Sequence, residues 1–191
     1  DTLPVPKRYD QLIEIVKGAQ PTHVIEVGTW DGTRALQMND VSPGLLYVGF
    51  DLFEEATEET DEKEKNVKEH YTRDAVAQRL KSAGVNFELY AGNSVEKFSQ
   101  YFAEYGEHQA DIVYIDGGHS VETIRADYMH AQRAVREGGV IVLDDYYTDM
   151  PNGELGRWGA QAVLQGTEHA LLPASDLVMG GGRVQMAVVK C

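Results

Sequence analysis

The protein has 191 residues, of which 42% are hydrophobic, so one substantial core can form and residues 1–191 are expected to fold as a single domain. The 31 acidic residues outnumber the 17 Lys and Arg residues, and the formal net charge of −14 argues against nucleic acid or a membrane surface as a partner and favours a small molecule or a cation. No apolar run approaches the roughly 20 residues that span a bilayer, and the only cysteine is Cys191, so no internal disulfide can form and a cytoplasmic location is expected.

The first predicted element is an amphipathic helix, because Tyr9, Leu12, Ile13 and Val16 recur at helical spacing. After it, short β-branched segments alternate with longer segments of helical spacing, of which 120–137 has the clearest pattern. This alternation is typical of βαβ units and a parallel sheet. The predicted parallel strands are 22–28, 45–51, 86–92, 110–116 and 138–145.

The C-terminal part of the chain departs from this alternation. After a looser segment, 150–168, the segments 170–179 and 183–190 are joined by too few residues for a helical crossover, so they should pair as an antiparallel hairpin. The sequence therefore predicts an α/β fold, Rossmann-like and doubly wound, with a mostly parallel sheet of about seven strands and a C-terminal antiparallel hairpin.

Ligands of open parallel sheets bind at the carboxyl ends of the strands, so the residues that follow each strand are the candidate site. The first strand runs into "VIEVGTWDGT", in which Gly28 allows a sharp turn and a close approach to a ligand, and Gly32 allows close packing where the next helix begins. Trp30 stands where the dinucleotide fingerprint G-x-G-x-x-G has its second glycine. A pyrophosphate is therefore not expected on this loop.

The second and third strands end in polar residues that suit a nucleoside. Asp51 lies about 20 residues beyond the glycine loop, where a carboxylate can accept both hydroxyls of an adenosine ribose. An ordinary loop aspartate or a helix cap is the alternative. Asn93 and Ser94 stand at the start of a helix, where they should cap it, and a place beside an adenine ring is compatible with that duty.

The segment 54–66 is the one strongly biased stretch of the chain. It is predicted to be a solvated loop that runs into a charged helix. A mobile lid over a site is the alternative.

The fourth strand ends in "VYIDGGHS", which places Asp116 at the strand tip and His119 beside it. An imidazole with a pKa of about 6.5 suits proton abstraction near neutral pH, so His119 is the candidate base. The other histidines are interpreted as surface or capping residues.

The fifth strand, in "GGVIVLDDYY", ends in Asp144 and Asp145. Since the fourth and fifth strands should be neighbours, Asp116 and this pair converge, and three carboxylates repel one another unless a cation neutralises them. Oxygen ligands suit Mg²⁺ first, with Mn²⁺ or Ca²⁺ possible. As adjacent strand residues point to opposite faces, one of the pair could instead cap a helix. Tyr146 and Tyr147 either wall an acceptor pocket or pack on the loop.

These motifs, in this order, resemble those of class I S-adenosylmethionine-dependent methyltransferases. The combination of "IDGGHS" with "LDDY" is most similar to the metal-dependent O-methyltransferases, which include the catechol O-methyltransferase type and the antibiotic-sugar and cephalosporin-cluster group. The resemblance covers roughly residues 20–190. It implies methyl transfer from S-adenosylmethionine to a small hydroxylated substrate, with Mg²⁺ or another hard divalent cation as a second cofactor.

The resemblance also implies roles for individual residues. Glu26, Gly28 and the loop through Thr29 and Trp30 to Gly32 would hold the amino-acid end of S-adenosylmethionine. Asp51 would bind the ribose hydroxyls, and Asn93 and Ser94 would line the adenine pocket. Three carboxylates match the metal ligands, namely Asp116, Asp144 and Asp145. Asp116 would also contact the cofactor and belong to the catalytic centre.

The base is less firmly implied. His119 stands where the catechol type carries a lysine base, whereas the antibiotic-sugar type often has an acid at the position that Gly118 occupies here. The base is therefore His119 or none.

Two other functions stay open at this point. One is a cofactor-binding module without turnover, and the other is a nicotinamide-dependent oxidoreductase, against which Trp30 and the terminal hairpin count. Only about 20 residues precede the first strand, so the acceptor site is open, completed by a second subunit of a homodimer, or completed by missing residues.

Overall fold

One mixed sheet, described here from a computed structural model that covers residues 7–148, 158–173, 176–177 and 182–191, organises the chain. The strands are β1 (His23–Val27), β2 (Leu46–Asp51), β3 (Asn86–Ala91), β4 (Ala110–Ile115), β5 (Val135–Thr148), β6 (Ala170–Leu171), β7 (Asp176–Leu177) and β8 (Arg183–Lys190). The helices are α1 (Arg8–Ala19), α2 (Thr33–Val41), α3 (Glu58–Glu64), α4 (Arg73–Ser82), α5 (Ser94–Tyr105) and α6 (Val121–Ala134), with short 3-10 turns at Phe53–Glu55 and Ala160–Ala162.

The strand order is β3-β2-β1-β4-β5-β8-β6, and β7 also pairs with β8. Strands β1 to β5 pair in parallel, whereas β8 is antiparallel to β5, β6 and β7. The predicted Rossmann-like sheet with antiparallel C-terminal strands is therefore confirmed. The turn of the predicted hairpin and residues 149–157 lie outside the described residues.

Helices cover both faces of the sheet, as a doubly wound fold requires. Alternate residues of the parallel strands, such as Ile25 and Val24, belong to two different buried clusters. The first cluster includes residues of α5 and α6, and the second includes residues of α1, α2 and α4. Helix α1 joins the second cluster through Leu12 and Val16, which confirms the predicted amphipathic helix. None of the helices that the structure describes is long and apolar enough to cross a membrane.

The helix predicted over 120–137 ends earlier, at Ala134, and β5 is longer than predicted. Val135 already has extended backbone, with φ −72° and ψ 138°, and pairs with Ala110 of β4. The β4–β5 register then shifts before Ile112, close to Gly138 with its φ of 77°. Val135 thus fits the helical spacing of the preceding residues only because it is buried, although it is the first residue of a strand.

Candidate functional site

A cavity of about 380 Å³ lies at the carboxyl ends of β1, β2 and β4. Its volume is within the range of small-molecule sites, roughly 300–1,000 Å³. Of the predicted site residues, Gly32, Asp144 and Asp145 lie outside its lining. Those that line it are Glu26, Gly28, Thr29, Trp30, Asp51, Asn93, Ser94, Asp116 and His119.

The floor of the cavity is the turn after β1. Gly28 has φ +97°, and its N–H donates to the carbonyl of Phe50 at 2.8 Å. A Cβ at this position would lie 2.1 Å from the carbonyl oxygen of Asp116, so only glycine lets the turn pass this close to the end of β4. Gly32 is the N-cap of α2 and lies against Val76 and Leu80 of α4, as expected for a packing role.

Glu26 places an incompletely bonded carboxylate at the cavity wall. Its side chain is buried, and one oxygen accepts a hydrogen bond from the Tyr47 hydroxyl. The other oxygen, Oε1, has no hydrogen-bond partner among the described residues. Burial raises the pKa of Glu26 well above its usual range, against the effect of the Tyr47 hydroxyl. A hydrogen-bond donor on a bound ligand would give Oε1 a partner and offset the free-energy cost of burying it.

Asp51 organises the loop on the opposite side of the turn. Its Oδ2 accepts the N–H of Trp30 at 2.8 Å, and its Oδ1 accepts the N–H of Phe53 at 2.9 Å. Because each carboxylate oxygen has a further lone pair, Asp51 can still accept two hydroxyl groups from a ligand. The Trp30 indole N–H donates to the carbonyl of Glu69 at 2.9 Å, which turns the ring toward the segment after α3.

The start of α5 supplies the third group of polar atoms. Asn93 accepts the N–H of Val95 at 3.0 Å, so the predicted cap is confirmed. The Ser94 hydroxyl donates to Oδ1 of Asp127 at 2.5 Å. Asp127 is a buried residue of α6 that also lines the cavity, and its Oδ2 has no partner among the described residues.

The burial of Asp127 should make stability depend on pH. Burial raises the pKa of Asp127 to about 7, helped by the charge of Glu64 and opposed by the Ser94 hydrogen bond. With a folded pKa above the unfolded value of about 3.9, the stabilisation is full below pH ~4 and is lost as the pH rises to about 7. Asp127→Asn removes this titration, so its free energy of unfolding relative to wild type should rise by about 3 kcal/mol between pH 4 and pH 7.

Urea unfolding at the two ends of this pH range measures the difference. The exposed Asp40 of α2 gives a matched control, Asp40→Asn. If Asp127→Asn and wild type differ by the same amount at both pH values, the buried carboxyl does not titrate as described.

The acidic segment 54–66 closes one side of the cavity. Helix α3 buries none of its residues, which confirms the predicted charged, solvated helix. Its last residue, Glu64, accepts hydrogen bonds from the Ser120 N–H at 2.8 Å, the Ser120 hydroxyl at 3.0 Å and the Thr123 hydroxyl at 2.6 Å. Helix α3 is therefore fixed to the start of α6, beside the cavity. Its mobility as a lid stays a prediction.

His119 lies between this segment and the end of β5. Its Nδ1 is 2.7 Å from the carbonyl oxygen of Glu64, so Nδ1 carries the proton and donates it. The other ring nitrogen, Nε2, is 3.4 Å from Oδ2 of Asp145. In the neutral ring, Nε2 is thus the atom able to take a proton, and Asp145 is placed to stabilise the imidazolium that forms.

Asp116 directly follows β4 as predicted, whereas Asp144 and Asp145 lie within β5, which continues to Thr148 instead of ending at 145. The cation beside this pair is Arg8. Its Nη1 is 2.9 Å from Oδ1 of Asp144 and 3.7 Å from Oδ1 of Asp145. Burial, together with Asp116 and Asp145, raises the pKa of Asp144 well above its usual range, against the effect of Arg8. Within the described ranges, no group of three or more His, Cys, Asp or Glu side chains could hold a metal ion. The predicted metal site is not confirmed.

A bulge explains how both neighbouring carboxylates reach one cation. The β5–β8 register shifts between Leu143 and Tyr146, and Asp145 has φ 55°. The sequence-based alternative, that one of the two faces a helix as a cap, assumed regular strand alternation, which the bulge breaks.

Tyr146 and Tyr147 do not line the cavity. Tyr146 packs against a core cluster and lies 5.4 Å from the ring of His169. The Tyr147 hydroxyl donates to Oδ1 of Asp145 at 3.0 Å, so this residue supports the carboxylate pair.

Comparison with known proteins identifies the family of the chain. Residues 25–146, more than half of the chain, match the family described as "Methyltransferase domain". The chain belongs to this methyltransferase family. No curated protein matches it.

Solved structures share the fold of this methyltransferase domain at low sequence identity. The O-methyltransferase TomG from Streptomyces achromogenes, solved in complex with SAM, is 17% identical with a TM-score of 0.67, over 96% of this chain and 79% of that chain. The O-methyltransferase from Bacillus cereus, solved in complex with SAH, is 18% identical with a TM-score of 0.65, over 100% of this chain and 83% of that chain. The predicted methyltransferase fold is thereby confirmed.

Three residues were missed by the sequence analysis: Asp127 and Glu64, which line the cavity, and Arg8, which contacts the carboxylate pair of β5. Asp127 had a usable signal, since it lies within the apolar stripe of α6 between Ile124 and Tyr128. Glu64 is one of many acids in its segment, and Arg8 begins a helix without any distinguishing pattern. Neither of these two could be singled out without the tertiary structure.

Proposed function

We propose that this methyltransferase transfers the methyl group of S-adenosylmethionine to an oxygen of a small hydroxylated compound. The observation that carries the proposal is Oε1 of Glu26, a buried carboxylate oxygen without a partner among the described residues, in a cavity that also contains Asp51. An ammonium group and a ribose diol are the groups that these two carboxylates suit, and S-adenosylmethionine carries both.

The rest of the cavity suits the same molecule. Glu26 would hold the ammonium, Asp51 the ribose hydroxyls, and Ser94 with Asp127 the adenine end, where Oδ2 of Asp127 can accept from an amino group. Gly28 allows the ligand to lie on the turn without a side chain in the way. When bound, S-adenosylmethionine supplies a methyl group on a positively charged sulfonium.

His119 is the group that can prepare the acceptor. With Nδ1 donating to the Glu64 carbonyl, Nε2 would accept the proton of the acceptor hydroxyl. Bound S-adenosylmethionine would supply the methyl group and leave as S-adenosylhomocysteine. The Asp145 carboxylate, 3.4 Å away, then stabilises the imidazolium. Holding the acceptor and the methyl donor in line supplies much of the remaining acceleration.

Metal dependence was part of the sequence-based prediction, and the carboxylate oxygens are of the kind that Mg²⁺ prefers. As arranged, however, Asp144 is fully buried and its Oδ1 lies against the Arg8 guanidinium. This arrangement does not fit a divalent cation, so the proposed chemistry contains no metal step.

The test is calorimetric titration of S-adenosylhomocysteine into wild-type protein and Glu26→Gln. We expect saturable binding to wild type and an affinity lower by about 10- to 100-fold in the variant, because a hydrogen bond to a charged group is worth about 1.5–3 kcal/mol. The exposed Glu137 of β5 supplies the control, Glu137→Gln, which changes the net charge equally but should bind as wild type does.

Absence of binding to wild type would contradict the proposed cofactor. Equal affinity of Glu26→Gln and wild type would leave the cofactor standing but would remove Glu26 from its binding site.

A further inference from the structure

Helix α1 delivers a positive charge into the carboxylates at the end of the sheet. Arg8 is its first residue, and only 16% of the Arg8 side chain is exposed, against 0% for Asp144 and 11% for Asp145. An arginine near a helix N-terminus is unfavourable for the helix dipole, so its place here needs a tertiary reason. The adjacent buried carboxylates provide one.

The position of Arg8 is fixed by the packing of α1. Leu12 and Val16 of α1 belong to the core. The ring of Tyr9 lies against the guanidinium groups of Arg34, at 4.0 Å, and Arg8, at 5.1 Å, and its hydroxyl points to Oδ2 of Asp116 at 3.5 Å. The helix thus brings a cation and a hydroxyl to the carboxylates that the sequence assigned to a metal.

The Arg8 guanidinium already occupies the carboxylate oxygens at which a second cation would bind. Asp144 is buried against Arg8, and Asp145 has Arg8 on one side and His119 on the other, at 3.7 and 3.4 Å. A divalent cation at these oxygens would have to displace the guanidinium, since two cations in contact repel each other in a poorly solvated site. Arginine is suited to such a place because it stays charged when it is buried.

We propose that Arg8 takes the place of a divalent cation in this site, as a positioning residue that holds Asp144 and Asp145 and, through Asp145, His119. The role of Arg8 in holding the carboxylates does not depend on the proposed function. Only the reaction to which this role contributes rests on the proposed function. The consequence of this role for the substrate class is that the acceptor needs a single hydroxyl group, because chelation of a metal by two neighbouring oxygens is no part of its recognition.

The test is metal binding itself, measured without any acceptor. Chelator-treated wild type, Arg8→Met and Arg125→Met are titrated with Mn²⁺, whose free form is followed by electron paramagnetic resonance, and with Mg²⁺ by calorimetry. Arg125 is exposed on α6, so its variant has the same change in net charge away from the carboxylates. We expect no saturable site below millimolar concentration in wild type or Arg125→Met, and one new site in Arg8→Met.

Two outcomes would overturn the inference. One is a stoichiometric Mn²⁺ site in wild type that Asp144→Asn abolishes. The other is a folded Arg8→Met that gains no site, since the carboxylates would then not form a cation site at all. If Arg8→Met is too unstable to titrate, the wild-type result still decides, and Arg8→Lys, which keeps the charge, should fold and melt closer to wild type than Arg8→Met does.

The outcome is separable from that of the proposed function. Binding of S-adenosylhomocysteine together with a wild-type Mn²⁺ site would overturn only the role of Arg8. Conversely, a protein that binds neither ligand would contradict the proposed cofactor and leave the role of Arg8 supported.

Discussion

Replacing His119 with glutamine is expected to lower turnover by about 10²- to 10⁴-fold, the usual contribution of general acid–base catalysis, while S-adenosylhomocysteine binds nearly as well as it does to wild type. Glutamine can keep the hydrogen bond to the Glu64 carbonyl but has no nitrogen that takes a proton, so the loss should appear in kcat. The measurement is methyl transfer to an acceptor found by screening small hydroxylated compounds, paired with calorimetry of the cofactor product.

The matched control for this variant is His130→Gln. His130 also bonds a backbone carbonyl through Nδ1, that of Ala126, but its ring stacks on Phe98 away from the cavity. It should keep wild-type turnover. Wild-type turnover in His119→Gln would mean that the acceptor loses its proton without this base, which the resemblance to known families left open.

Gly28→Ala is expected to have the largest effect on the fold of the site. Its φ of +97° costs any other residue about 1–2 kcal/mol, and the new Cβ would overlap the main chain of Asp116, adding about 1–3 kcal/mol. We expect a loss of about 2–5 kcal/mol in the free energy of unfolding, measured with urea, and loss of S-adenosylhomocysteine binding because the end of β4 must move.

Gly44→Ala separates the two causes. Gly44 has a similar φ, +84°, but a Cβ there meets no atom within 4 Å. Gly44→Ala should lose only the part of the free energy of unfolding that comes from the positive φ, and it should still bind S-adenosylhomocysteine. Equal losses in the two variants would show that the turn after β1 tolerates a side chain.

The parallel part of the sheet could be predicted from the sequence because each of its strands contains a short apolar run bounded by turn residues. Once the strands were predicted, the glycine turn and Asp51 could be placed in one site, because residues that follow parallel strands meet at one edge of the sheet. The end of α6 could not be predicted, because Val135 continues the helical spacing of its neighbours although its backbone is already extended. Spacing alone does not distinguish a buried helical residue from a buried strand residue.

The metal prediction shows a second limit. Repulsion among Asp116, Asp144 and Asp145 predicted a nearby cation. Local sequence does not distinguish a bound ion from a distant side chain such as Arg8, which the structure places beside two of these carboxylates. Arg8 is more than a hundred positions away from all three. The bulge at Asp145 was equally hidden, because a φ of 55° is uncommon for an aspartate and follows from tertiary pairing of β5 with β8.

The contacts of the segment that follows α3, residues 65–72, determine what the tryptophan fluorescence of the protein reports. The chain has two tryptophans, and both lie against this segment. Lys65 Nζ is 4.4 Å from the Trp158 ring, and Trp30 has Lys68 Nζ at 5.3 Å and the edge-on ring of Tyr71 at 5.9 Å. Indole emission depends on nearby charges and on access of water. The tryptophan fluorescence of the unlabelled protein therefore reports on this wall of the cavity.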